Sequence, residues 1–178
     1  YQMAANNGDA QAQLRLGEMF DQGQGVPQDF GEASLWYRMA AKQGDVVAQL
    51  RLGELFDQGQ GVPQDYPEAI HWYRLAAQQG DAGAQLRLGE LFDQGQGVPR
   101  DYQEARHWYG MAAKQGNTSA QIRMAEKSIL GEGVSENHTE AARWYRLAAD
   151  KGNPLAQLRL GEMYETGKGV DRDYNEAS

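Results

Sequence analysis

Along Asp45 to Gly80, DVVAQLRLGELFDQGQGVPQDYPEAIHWYRLAAQQG, apolar residues recur at helical spacing. At roughly 100° per residue, Ala48, Leu52, Leu55 and Phe56 share one face of a helix spanning about Val46 to Gln58. Arg51 and Glu54 lie opposite, with Leu50 beside them. Gly59-Gln60-Gly61-Val62-Pro63 then breaks this helix, because the glycines supply turn conformations and Pro63 biases Val62 away from α geometry. Asp65-x-x-Glu68 is a variant capping box and starts a second helix, along which Tyr66, Ala69, Trp72, Tyr73, Ala76 and Ala77 form the buried stripe. His71 and Arg74 point away from it. Gly44-Asp45 joins a glycine past one helix end to the N-cap of the next, so successive helices follow with almost no loop. Gly53 costs ~1 kcal/mol relative to alanine in mid-helix, and its recurrence at 17, 53, 89 and 161 predicts a close backbone approach where the two helices cross.

The whole chain is built from copies of this stretch. Leu16, Leu52, Leu88, Met124 and Leu160 form one column and Trp36, Trp72, Trp108 and Trp144 another, so the period is 52 − 16 = 88 − 52 = 36. The copies are 9–44, 45–80, 81–116, 117–152 and a partial 153–178, preceded by part of a second helix over 1–8. A fixed period of this size predicts an all-α solenoid of antiparallel helix pairs, in which each unit buries its apolar face only by stacking on its neighbours. The chain reads as one such array. Tyr1 aligns with Tyr37 and Ser178 with Ser34, and neither end resembles a polar capping repeat, so a piece of a longer protein is expected. End-to-end self-association is a further expectation, since residue 178 of one chain and residue 1 of another almost complete a helix.

Ala48, Leu52-Gly53, Phe56, Gly59, Gly61-Val62, Asp65, Ala69, Trp72, Ala76-Ala77 and Gly80 resemble the repeat unit of the Sel-1-like repeat (SLR) family, relatives of the tetratricopeptide solenoids. The resemblance covers essentially the whole chain. It implies a right-handed superhelix with the first helix of each repeat lining the concave side, and a role as adaptor or scaffold. It also implies that many members are bacterial and work in or across the cell envelope, which favours the periplasm or envelope here. Other members resemble immunity proteins that neutralise secreted lipase toxins.

Composition narrows the partner. A formal charge of −8 and a pI near 4.9 argue against a nucleic-acid backbone and favour a basic or neutral protein surface. The absence of cysteine removes disulfides, thiolate metal sites and cysteine nucleophiles. No run approaches the ~20 apolar residues of a membrane span.

The most regular polar feature is Gln49, Arg51 and Glu54, repeated at 13, 15 and 18, at 85, 87 and 90, at 121, 123 and 126, and at 157, 159 and 162. A row of guanidinium forks at these positions would clamp a partner's carboxylates or carbonyls. Alternatively each arginine pairs with the glutamate three residues on, or with that of the next repeat. The Trp and Tyr columns belong to the core by spacing. The Gly-x-Gly turns lack the preceding strand and following Lys-Ser/Thr of a phosphate loop.

His71 and His107 stand one repeat apart, too far to share a metal easily, and His138 replaces a core aromatic. Asp29, Asp65, Asp101 and Asp173 are explained as helix caps, as are Asn117 and Asn137 despite their glycosylation-like context. No nucleophile, base and orienter stand together, so no cofactor, metal or catalytic residue is assigned. The fourth repeat departs from the others, with Lys127-Ser128 where they carry Leu-Phe or Met-Phe and Ile129-Leu130 where they carry Asp-Gln. Either Ile129 and Leu130 form an exposed anchor beside Arg123, or the helix rewinds and returns Ile129 to the core.

These readings predict a non-catalytic module that binds another protein in its concave groove through Arg51, Arg87, Arg123, Glu54, Glu90, Ile129 and Leu130. The alternatives are an inhibitor of a secreted bacterial lipase or other hydrolase toxin, and an enzyme acting on a β-lactam-like or cell-wall substrate.

Overall fold

The computed structural model describes residues 1–173, 175 and 176, and among them it contains ten helices and no strand. These are α1 (Gln2–Asn6), α2 (Ala10–Gln22), α3 (Phe30–Lys42), α4 (Val46–Gln58), α5 (Tyr66–Gln78), α6 (Ala82–Gln94), α7 (Tyr102–Lys114), α8 (Thr118–Leu130), α9 (His138–Ala149) and α10 (Pro154–Thr166). The all-α reading holds, and the first helices of the repeats start 36 residues apart (46 − 10 = 82 − 46). The alignment of Ser178 with Ser34 and the joining of residue 178 to residue 1 of another copy fall outside the described residues. By its contacts the chain divides into two compact units, Tyr1–Ala84 with Gln96–Val98, and Gln85–Gly95 with Pro99–Ser178, the boundary falling within α6.

In the first unit α2 packs on α3, α3 on α4 and α4 on α5. The anticipated caps are in place. Asp45 accepts from the Ala48 amide at 2.8 Å and Asp65 from the Glu68 amide at 3.0 Å, each satisfying an orphan donor of the first turn. Gly59 ends α4 in the left-handed region, with φ 68°. The stripe of α5 is buried as its spacing requires, with Tyr73, Ala76 and Ala77 fully enclosed and Trp72 nearly so.

Gly53 does face a close neighbour, but the neighbour is a side chain and not a backbone. A Cβ there would stand 2.7 Å from the Tyr73 ring. The ring lies against bare Cα, and its hydroxyl donates to Asp57 Oδ2 at 3.1 Å. The Gly17 and Tyr37 pair repeats this, with the Tyr37 hydroxyl on Asp21 at 2.9 Å. Burial, then the adjacent Asp21 carboxylate, push that phenol far above its ordinary pKa. The close backbone approach occurs instead at Gly61, φ 67°, where a Cβ would lie 2.2 Å from the Phe30 carbonyl carbon of the preceding repeat.

Gln49 also differs from expectation. Grouped by sequence with the polar surface, it is 3% exposed. Its amide donates to the Ala41 carbonyl at 3.1 Å and its Oε1 accepts from Gln79 at 2.8 Å, so it stitches α3, α4 and α5 together.

The second unit repeats these devices. Gly89 takes the Tyr109 ring, whose hydroxyl reaches Asp93 at 3.3 Å, and Gln115 donates to Gln85 Oε1 at 2.8 Å. Asn117, Asn137 and Asn153 cap α8, α9 and α10. One link is missing: the position of Gln79 and Gln115 holds Lys151, whose ammonium bonds the Gly116 carbonyl at 2.6 Å. Gln121 Oε1 is consequently buried without a hydrogen bond among the described residues.

Two substitutions test this packing. Gly53→Ala gains ~1 kcal/mol of helix propensity but drives the Tyr73 ring from its seat, a cost of about 1–3 kcal/mol, so a lower urea midpoint is expected. Lys151→Gln supplies the donor that Gln121 lacks and is expected to stabilise by about 1 kcal/mol, read from the same denaturation curves.

Candidate functional site

Each arginine of the repeated column closes on the glutamate one turn further along its own helix. In the first unit Arg15 meets Glu18 at 2.6 Å and Arg51 meets Glu54 at 2.8 Å. In the second, Arg87 pairs with Glu90, Arg123 with Glu126 at 3.1 Å and Arg159 with Glu162 at 2.9 Å. All five arginine side chains remain partly exposed, so solvent screens each pair and it adds little to stability. Each guanidinium has five donors, more than one carboxylate can accept. The pairing alternative raised by the sequence is what the helices adopt, with the arginine side chains still partly exposed.

The fourth repeat does not rewind. Helix α8 begins and ends at the same register as its siblings, and Lys127 and Ser128 stay buried where leucine and phenylalanine stand elsewhere. Polar partners arriving from neighbouring helices make this possible. The Lys127 ammonium bonds Asp93, Glu132 at 2.6 Å and the face of Tyr102 at 4.9 Å. Burial opposes its charge, yet the Asp93 and Glu132 bonds hold its pKa above the usual lysine value. Ser128 donates to the Met124 carbonyl at 2.9 Å and contacts Glu140 Oε2 at 3.0 Å.

Arg106, at the position of the apolar Ile70, bonds Ser128 Oγ and Glu140 Oε1, both at 3.1 Å. Sequence reasoning passed over Arg106 and Glu140. The signal was there: arginine replaces a core isoleucine one repeat before serine replaces a core phenylalanine.

Ile129 is half-buried against the cluster of Ala125, Ala142 and Tyr145, so it is not the exposed anchor expected beside Arg123. It reaches the core without rewinding, packed against the cluster that holds Ala125, Ala141 and Ala142. Leu130 is 66% exposed, as that reading required. Between α8, α9 and α10 lies a cavity of about 690 Å³, whose lining includes Arg123, Ile129, Leu130, Tyr145, Arg159 and Met163. The structure thus brings Arg123, Ile129 and Leu130 to one place in the second unit. Arg87 and Glu90 lie on α6 of that unit, while Arg51 and Glu54 lie in the first.

The outward histidines His71 and His107 stack edge-on against Trp72 and Trp108, and His138 pairs with Glu136 at 2.8 Å. Among the described residues no group of three His, Asp or Glu is placed to hold a metal ion, and no helix is long and apolar enough to cross a membrane.

Glu140 carries a pH signature. Burial raises its pKa, but the Ser128 hydroxyl, Arg106 and Trp144 together bring it below the ordinary carboxylate range. A depressed folded-state pKa gives stability that is present above the unfolded value near 4.5 and lost as pH falls through the folded value. Urea midpoints measured from pH 7 down to pH 3 should therefore fall less steeply in Glu140→Gln than in the parent, with the two curves converging in acid.

The profile of the Sel1 repeat matches residues 10–45, 46–81, 82–117, 118–153 and 154–177. A protective antigen present in uropathogenic Escherichia coli strains, displaying an SLR fold, is 41% identical with a TM-score of 0.97 over 99% of this chain. This chain spans 38% of that protein. A Sel1 repeat protein from Oxalobacter formigenes is 35% identical with a TM-score of 0.87, over 96% of this chain and 68% of its own. An immunity protein from Pseudomonas aeruginosa shares the fold at 21% identity and a TM-score of 0.57, over 94% of this chain and 62% of its own. No curated protein matches the chain by sequence. Five matched repeats and the two relatives above 30% identity show that this chain belongs to the Sel1 repeat family.

Proposed function

We propose that this chain is a non-catalytic protein-interaction module, an adaptor or scaffold that presents its Arg–Glu helix faces to a partner protein. Sel1 repeat proteins bind other proteins, and the repeat fold is typically a non-enzymatic interaction module. The observation that carries the reading is the unbroken run of Sel1 repeats, each displaying a partly exposed arginine and glutamate at the same helical positions. The candidate contact residues are Arg51 and Glu54 in the first unit, and Arg87, Glu90, Arg123, Ile129 and Leu130 in the second. Arginine suits this role because a planar fork recognises carboxylates and carbonyls in two directions at once. The cell envelope is the compartment that the family resemblance favours.

The test is affinity capture from a lysate of the host cell by the parent chain and by an Arg51→Ala/Arg87→Ala variant verified as folded by circular dichroism. The expected result is a defined set of proteins retained by the parent and lost by the variant. Equal capture by both would remove the arginines from the site, and capture of one hydrolase in one-to-one ratio would replace the adaptor with an inhibitor.

A further inference from the structure

The stacking faces of the early repeats are interchangeable. Ala48 to Pro63 of the second repeat recurs without change as Ala84 to Pro99 of the third, and their buried positions are the same alanine, leucine and phenylalanine columns. A solenoid holds each repeat only through its nearest neighbours, so a like repeat from elsewhere in the chain, or from another copy, offers a competing partner. Misassembly of that kind is a characteristic failure of repeat proteins.

The junction between the third and fourth repeats is built differently, and the change is on both sides of it. Arg106 of α7 stands where the second repeat has Ile70, while Lys127 and Ser128 of α8 stand where it has Leu55 and Phe56. The two cations cross the junction in opposite directions. Lys127 of the fourth repeat bonds Asp93 of the third, and Arg106 of the third bonds Ser128 Oγ and Glu140 Oε1 of the fourth, both at 3.1 Å. The Arg106 and Lys127 side chains are only 15% and 9% exposed, and Ser128 is fully buried. Charges this enclosed are tolerated when their partners are in place and are costly when one is missing.

The acids alone do not tell one neighbour from another. Glutamate recurs in the Glu140 column as Glu32, Glu68 and Glu104, and aspartate in the Asp93 column as Asp21 and Asp57. The discrimination comes from Arg106 with Ser128. Set against an ordinary repeat, Arg106 would meet a phenylalanine in place of the hydroxyl it bonds, a half-satisfied buried cation. An isoleucine set against Ser128 would leave the space of a ring unfilled. Lys127 adds a second exclusion, since a further fourth repeat would face it with Ile129 and no acceptor.

We infer that this junction is an order lock, by which the third and fourth repeats select each other among near-identical repeats and refuse out-of-order stacking within the chain or between copies. Buried polar groups that fix register at some cost in stability act in the same way in coiled coils. The lock sets α8, with Arg123 and Leu130, beside the third repeat, and so defines the order of the candidate contacts in this unit.

The test restores the column residues in the full chain. Arg106→Ile/Lys127→Leu/Ser128→Phe gives the junction the residues of the second repeat, and the acids left behind keep partners. Asp93 retains the Tyr109 hydroxyl, and Glu140 the Trp144 ring nitrogen, as Glu68 does that of Trp72. Parent and variant are refolded from urea over a range of protein concentrations, and their masses are read by light scattering before and after dilution. The variant should form several-fold more oligomer than the parent, rising with concentration and persisting on dilution, with a urea midpoint no lower. Equal masses, a variant that does not fold, or oligomers accompanied by a lower midpoint, which destabilisation alone would produce, would each overturn the inference. A double-mutant cycle gives a second reading. Arg106→Ile and Ser128→Phe should each lower the midpoint, and together they should recover most of the loss because matched faces return; losses that merely add would also overturn the lock.

Discussion

The contact on which the first three repeats depend is a tyrosine ring laid on a glycine. Two helices joined by a short turn need a close seat for a large aromatic, and Gly53 provides it by having no Cβ for Tyr73 to meet. Burying that ring strands a hydroxyl in the interior, so the first helix must also carry an acceptor one turn later, and Asp57 does so. Glycine, tyrosine and aspartate form one packing device in both units, and its cost in helix propensity at glycine is offset by the aromatic surface buried.

A second constraint is that stacked helices bring polar groups inside along with the alanines. The glutamine column answers it: Gln49 bonds a carbonyl of the preceding helix and accepts from Gln79, so each buried amide is spent on joining three helices. Where Lys151 interrupts the column, Gln121 is left with an unmet oxygen. The fourth repeat shows the same rule on a larger scale. Lys127 and Ser128 are admitted to core positions because Asp93, Glu132, Arg106 and Glu140 arrive to pair with them. Removing one member of such a buried set leaves the others uncompensated, whereas the exposed Arg–Glu pairs contribute little to stability and remain available for recognition.

This separation between buried and surface polar groups shapes the functional conclusion. In the first three repeats each core tyrosine hydroxyl is met by an aspartate of its own repeat, and the outer arginines and glutamates are the regularly repeated accessible groups. In the fourth repeat that pattern changes, with isoleucine in the aspartate column and Tyr145 lining a cavity.

The sequence by itself determined the helices, their bounds, their caps and their register, because an amphipathic period and a cap residue act within one stretch of chain. Asp45, Asp65 and Gly59 did what local chemistry requires of them. It also determined which columns are core, since tyrosine, tryptophan and alanine at helical spacing have one apolar side to turn inward. What it left open was the identity of each partner across the helix interface. Gln49 read as surface and is buried, Gly53 read as a backbone contact and seats a ring, and Ile129 read as either outside or rewound and is neither. Periodicity fixes the direction of a side chain about its own axis, but the group it meets belongs to another helix, and only the packed tertiary structure decides which one that is.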